Sequence, residues 1–102
     1  MANPSATATA ALRGEYVGTL TFYVVCPLIT VGNETFELLL RPRYRARGGE
    51  GDLRLLDRDR NVVARYGDRL RINGKVVEGG SFCMVGRQLE ASRIAEVAPS
   101  SD

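Results

Sequence analysis

The run Gly67-Asp68-Arg69-Leu70-Arg71-Ile72-Asn73-Gly74-Lys75-Val76-Val77 alternates apolar with polar positions. In an extended chain Leu70 and Ile72 fall on one face and Arg69, Arg71 and Asn73 on the other, the signature of a half-buried strand. Turn residues flank it, Gly67-Asp68 before and Asn73-Gly74 after, so the run reads as a closing strand of a small β-barrel. Residues 15–25 alternate in the same way, with Gly18, Leu20, Phe22 and Val24 opposite Thr19, Thr21 and Tyr23. Cys26-Pro27 interrupts that pattern, because proline has no N–H for a ladder. Residues 28–31, the turn Gly32-Asn33-Glu34 and a strand over 35–40 with Phe36, Leu38 and Leu40 inward then form a hairpin.

Downstream, Gly48-Gly49-Glu50-Gly51 is a turn, residues 53–56 a strand, Asp57-Arg58-Asp59-Arg60-Asn61 a second hairpin turn, and 62–66 its returning strand. Gly79-Gly80 and a strand over 81–85 follow. Residues 88–97 fit a final strand through Leu89 and Ala91, with Ile94 in phase only if a bulge intervenes; a lone helix of that length would gain little without a packing face. Strands thus recur roughly every 8 to 12 residues with turn signals between them. The fold class is all-β, a small five- to six-stranded OB-like barrel. Leu20, Phe22, Phe36, Leu38, Leu53, Leu55, Val62, Ala64, Leu70 and Ile72 form its predicted core, each on the apolar phase of its strand.

A chain of 102 residues, 44% apolar, supports one domain. Residues 1–12, rich in Ala and Thr and uncharged, read as a disordered tail, 13–98 as the barrel and 99–102 as a second tail. No stretch approaches the length of a transmembrane helix. The first residues lack the basic and long apolar regions of a signal peptide, and suit equally the start of a chain trimmed of one and a natural cytosolic start.

The sequence has no histidine, which excludes Ser-His-Asp and Cys-His catalysis and the His-containing zinc sets. No catalytic residue, metal or cofactor is nominated, and the chain reads as non-enzymatic. Cys26 and Cys83 are too far apart for a dithiol redox motif. They are either two buried thiols or a disulfide, and pairing would place the protein in an oxidising compartment. That consideration favours an extracytoplasmic location over a cytoplasmic one.

The net charge of +2 demands no polyanionic partner, but its distribution is uneven. From Arg41 to Arg71 ten arginines face five acids, a balance of +5, while the remaining four basic and seven acidic residues give −3. Within this segment Arg41, Arg43, Arg45 and Arg47 alternate, so an extended chain projects them to one side as a comb for phosphates, with Tyr44 available for stacking. These five are the predicted ligand-binding residues. The same pattern also suits a guarded sheet edge, with Glu50, Asp52, Asp57 and Asp59 near enough to neutralise it. Asp57, Asp59, Asn61 and Asp68 echo a calcium loop but lack its glycine and terminal glutamate, and a hairpin turn accounts for their oxygens. Asp57, Asp59 and Asp68 could in principle provide paired carboxylates for hydrolysis, but nothing in their spacing sets two across a cleft. Gly79-Gly80-Ser81 could form an anion nest, and Asn33-Glu34-Thr35 matches a glycosylation acceptor.

The order Cys26, Leu38-Leu39-Leu40, Pro42, Tyr44, residues 53–57, and Val63-Ala64-Arg65-x-Gly67-Asp68-x-Leu70-x-Ile72-x-Gly74 resembles uncharacterised small bacterial β-domains that are secreted or lipid-anchored. Residues 68–75 with Leu89-Glu90-Ala91-Ser92-x-Ile94 look like the last strands of OB-fold domains. That resemblance implies a binding or interaction module whose partner is another protein or a small ligand, and single-stranded nucleic acid on the Arg41–Arg47 comb is the alternative.

Overall fold

A computed structural model describes residues 13–77, Cys83 and residues 85–99. Eight strands run in chain order: β1 (Arg13–Tyr23), β2 (Cys26–Val31), β3 (Glu34–Leu39), β4 (Arg45–Arg47), β5 (Arg54–Leu56), β6 (Val62–Arg65), β7 (Arg69–Val77) and β8 (Gln88–Ala98). Five of them close a barrel in the order β1-β2-β3-β8-β7, and the other three form a separate sheet, β4-β5-β6. β1 to β3 are a meander, β7 returns over the inserted sheet to lie beside β1, and β8 closes the barrel against β3 in parallel. This Greek-key path is compatible with an OB-like fold. Among the described residues no helix is long and apolar enough to cross a membrane.

The alternation explains the core. Leu20, Ile29, Phe36, Leu38, Leu70, Ile72 and Leu89 point inward from the barrel strands, and Leu53, Leu55 and Ala64 from the second sheet join the same cluster. Each aliphatic side chain so buried contributes about 1.5–3 kcal/mol relative to exposure. One core therefore holds both sheets, and the inserted sheet is fixed over the barrel. Tyr44 helps to anchor it, since its hydroxyl accepts a hydrogen bond from the Ile94 N–H at 2.9 Å.

Four expectations need correction, each because local geometry broke a simple period. β1 ends at Tyr23, and Tyr23 pairs with Cys26, so Val24-Val25 is a two-residue hairpin turn rather than strand. Its first position requires a positive φ, 59° at Val24, an unfavourable conformation for a β-branched residue. Cys26-Pro27 opens β2 instead of interrupting a strand; Pro27 lies outside the stretch of β2 that β3 pairs, which begins at Leu28. Asn73-Gly74 is not a turn. β7 runs straight through it, and Gly74 is needed because a Cβ there would meet the Glu90 carbonyl of β8.

The fourth concerns phase. Leu55 pairs with Ala64 and Leu56 with Val62, so Val63 is an extra residue in the ladder. That bulge turns Val62 outward, 41% exposed, although strict alternation had placed it beside Ala64. Phe22, also expected in the core, is only half-buried at its margin. A second bulge works in the predicted sense. Asn73 pairs with Arg93 and Gly74 with Ala91, leaving Ser92 extra, which lets Ala91 and Ile94 both reach the core. The Ser92 hydroxyl donates to the Asn73 carbonyl at 2.8 Å.

Cys26 and Cys83 form a disulfide with a Cα–Cα distance of 6.4 Å. It ties the start of β2 to the β7–β8 connection, where the Cys83 N–H donates to the buried Glu37 carboxylate at 3.1 Å. Closing a loop of 57 residues contributes about 4 kcal/mol in the chain-entropy treatment. The expected tail over 1–12, the nest Gly79-Gly80-Ser81, most of the strand over 81–85 and residues 100–102 lie outside the described residues.

Candidate functional site

The β4-β5-β6 sheet is antiparallel, and its register sets three rows of side chains. Ala46, Leu55 and Ala64 form one row, and the burial of Leu55 and Ala64 shows that this row faces the core. Adjacent rows must face the other way. Arg47, Arg54 and Arg65 lie directly opposite one another across the three strands, and Arg45, Leu56 and Val62 form the next outward row. The outer face therefore carries four exposed arginines around a small apolar centre.

The turns flanking this sheet add three more. Arg43, Arg58 and Arg60 join Arg45 and Arg47 around a cleft of about 350 Å³ whose lining has a single carboxylate, Asp57. That carboxylate is occupied by its own hairpin turn: Oδ1 accepts the Asp59 and Asn61 N–H groups, each at 2.9 Å. The Asn61 N–H, then the other turn donors, hold Asp57 below its ordinary acidity value. Asp52, expected as a neutralising partner, accepts the Gly49 N–H at 2.8 Å. Among the described residues the ion pairs are Arg71 with Glu15 and Arg87 with Glu34, and neither touches this face.

Like charges directly opposite in a sheet are separated by about 4.5–5.5 Å at Cβ and destabilise it. The middle position, Arg54, has a neighbour of the same sign on both sides. A cluster of guanidinium forks presents the geometry that binds phosphate, sulfate or carboxylate through paired N–H donors.

The predicted comb of Arg41, Arg43, Arg45 and Arg47 is divided by the fold. A Tyr44 N–H bond to the Leu40 carbonyl at 2.9 Å closes residues 41–43 as a tight turn, so only Arg45 and Arg47 alternate on a strand. Arg43 lines the cleft, whereas Arg41 borders a groove on the other side of β4. Tyr44 is half-buried against the core with its hydroxyl engaged, and it lines the same groove as Arg41. Sequence reasoning missed Arg54, Arg58, Arg60 and Arg65. The signal was present, because the hairpin over 57–61 returns the chain and sets Arg54 opposite Arg65.

The aspartates are not gathered. Asp57 and Asp59 belong to the β5–β6 turn, and Asp68 to the turn after β6, where it accepts the Arg65 N–H at 2.8 Å. The four residues of β6 separate the two turns by about 13 Å at the usual strand rise. Asp68 is buried and hydrogen-bonds the Glu96 carboxyl, a contact that raises the acidity value of Glu96. Cys26, Cys83 and Glu37 also cluster, but the two sulfurs are bonded to each other and Glu37 receives the Cys83 N–H. Comparison of the chain with protein-family models, curated proteins and solved structures finds no match.

Proposed function

We propose that this protein is a non-enzymatic binding module whose ligand is anionic and is held on the outer face of the β4-β5-β6 sheet. The observation that carries the reading is the cross-strand row Arg47, Arg54 and Arg65, extended by Arg45 and by the cleft arginines, with no ion pair on that face among the described residues. A row that costs folding stability is offset when an anion neutralises it. The separation of Asp57 and Asp59 from Asp68 supports the non-enzymatic part of the reading. The disulfide supports an extracytoplasmic location, since such bonds persist in oxidising compartments, in keeping with the resemblance to secreted or lipid-anchored β-domains.

Titration with inorganic polyphosphate tests the proposal. Binding should weaken linearly on a log–log plot against salt as condensed counterions are displaced, and Arg47→Ala with Arg65→Ala should flatten the slope. Absence of binding at low salt, or an unchanged slope in the double variant, would refute it.

The alternative reading is single-stranded nucleic acid on the same arginines, supported by the alternation of Arg45 and Arg47 along β4. It is weakened by the engagement of Tyr44, because single-strand binders stack several bases on exposed aromatics. Tight oligothymidylate binding at physiological salt, with a slope of about −0.7 per contact, would promote it.

A further inference from the structure

β3 leaves the barrel through Leu38-Leu39-Leu40, the chain turns at Arg41-Pro42-Arg43, and it comes back as β4. Among the described residues β4 pairs with β5 alone, so its other edge has no strand partner there. Between that edge and the end of β3 lies an open groove of about 600 Å³, within the range of small-ligand sites. Its walls are largely apolar: Pro27, Leu39, Tyr44 and Ala46 reach its surface, backed by the buried Leu38 and Leu40. Its rim is not. Arg41, Arg45 and Arg47 border it against a single carboxylate, Glu90, which sits on β8 opposite Leu39.

Arg45 and Arg47 border both this groove and the arginine cleft. The two sites are thus continuous around the edge of β4, one apolar and one cationic. A long arginine stem lies along apolar surface while its guanidinium reaches past it, so these residues can serve both.

We infer that the groove takes the hydrocarbon chain of an anionic amphiphile whose phosphate, sulfate or carboxylate headgroup is held by Arg41, Arg45 and Arg47. This rests on the anion-binding reading above and narrows its ligand class. A purely polar polyanion would leave the apolar surface that Pro27, Leu39 and Ala46 present at the groove in water. A second copy of the chain, docked by two-fold symmetry, would set one arginine rim against the other. Three cations against one carboxylate reject a cationic partner and orient an anionic one, with its headgroup on the β4 side and away from Glu90.

The test is calorimetric titration of the full chain with hexyl, octyl and decyl phosphate below their micelle concentrations, beside inorganic phosphate, inorganic polyphosphate and decanol. Affinity should rise about fourfold per added methylene, the factor that corresponds to the transfer of one CH₂ from water. Inorganic phosphate and decanol should each bind far more weakly than decyl phosphate. Ala46→Gln, a neutral polar replacement at an exposed position on the groove wall, should reduce the chain-length gain and leave polyphosphate binding intact, with an unchanged melting temperature as the folding control. Arg41→Gln should weaken decyl phosphate and not decanol. Polyphosphate binding without any chain-length dependence would overturn this inference and leave the anion-binding reading standing. Decanol binding as tightly as decyl phosphate would overturn it too, by removing the headgroup. Failure of polyphosphate and alkyl phosphates alike would end both.

Discussion

Replacing Arg54 by Gln should make the free protein more stable while weakening its hold on anions. Arg54 is the middle of the row Arg47, Arg54, Arg65, and it is exposed, so nothing of the core is lost with it. Direct cross-strand pairs are worth about 0.2–1 kcal/mol. Exposed guanidinium heads can splay apart into water, which puts each of these repulsions near the lower end of that range. Two relieved pairs then give about 0.4–1 kcal/mol, or about 2–6 °C in melting temperature for a domain of this size. The effect is electrostatic between solvent-exposed groups, so it must shrink as salt shortens the Debye length from about 10 Å at 0.1 M to about 3 Å at 1 M. Urea denaturation of both proteins at low and high salt, with polyphosphate titration alongside, measures all three quantities. A loss of stability at low salt, or a gain that salt leaves unchanged, would show that the row is not frustrated, and the main argument for an anionic ligand would fall.

Ile72 is fully buried, so Ile72→Ala should cost about 2–5 kcal/mol in a denaturant titration; a cost near zero would invert the register of β7. Val24 holds a φ of 59° while 68% exposed, so Val24→Asn should raise stability by about 1 kcal/mol, since asparagine tolerates that region, and a lower melting temperature would contradict the turn. The hydrogen bond to Asp68 raises Glu96 above its ordinary value of 4.5, so its protonated form is favoured in the folded state. The corresponding stability is fully present below that value and is lost as pH rises through the folded-state value. Glu96→Gln should remove this segment of the stability–pH curve, and an unaltered curve from pH 4 upward would refute the contact with Asp68.

Much of the candidate site was legible in fragments. Arg43, Arg45 and Arg47 stood out from their spacing, and the hairpin signal at Asp57-Arg58-Asp59-Arg60-Asn61 was read correctly as a turn. What the spacing could not supply was the pairing partner of each strand. Register decides which residues share a row, and it placed Arg54 and Arg65 beside Arg47 although they are seven and eighteen positions away in sequence. The comb itself dissolved for a local reason, because the turn closed by Leu40 and Tyr44 sends Arg41 and Arg43 to different sides of β4.

The sequence alone determined the fold class, most strand positions (β4 and the end of β1 excepted) and most of the inward-facing residues, because period-2 alternation and turn chemistry are local properties of the chain. It also anticipated the bulge that brings Ile94 into phase in β8, and it left Cys26 and Cys83 as either a disulfide or two thiols. Tertiary structure decided the rest: the parallel closure of β8 on β3, the outward turn of Val62, the close approach that requires Gly74, and the second sheet laid over the barrel. These depend on contacts between residues far apart in the chain, where one extra residue in a ladder moves a side chain from core to solvent. The arginine face and the apolar groove beside it are of this second kind. Each is assembled from segments that carry no common signal until the barrel closes and β4 takes its place beside β5.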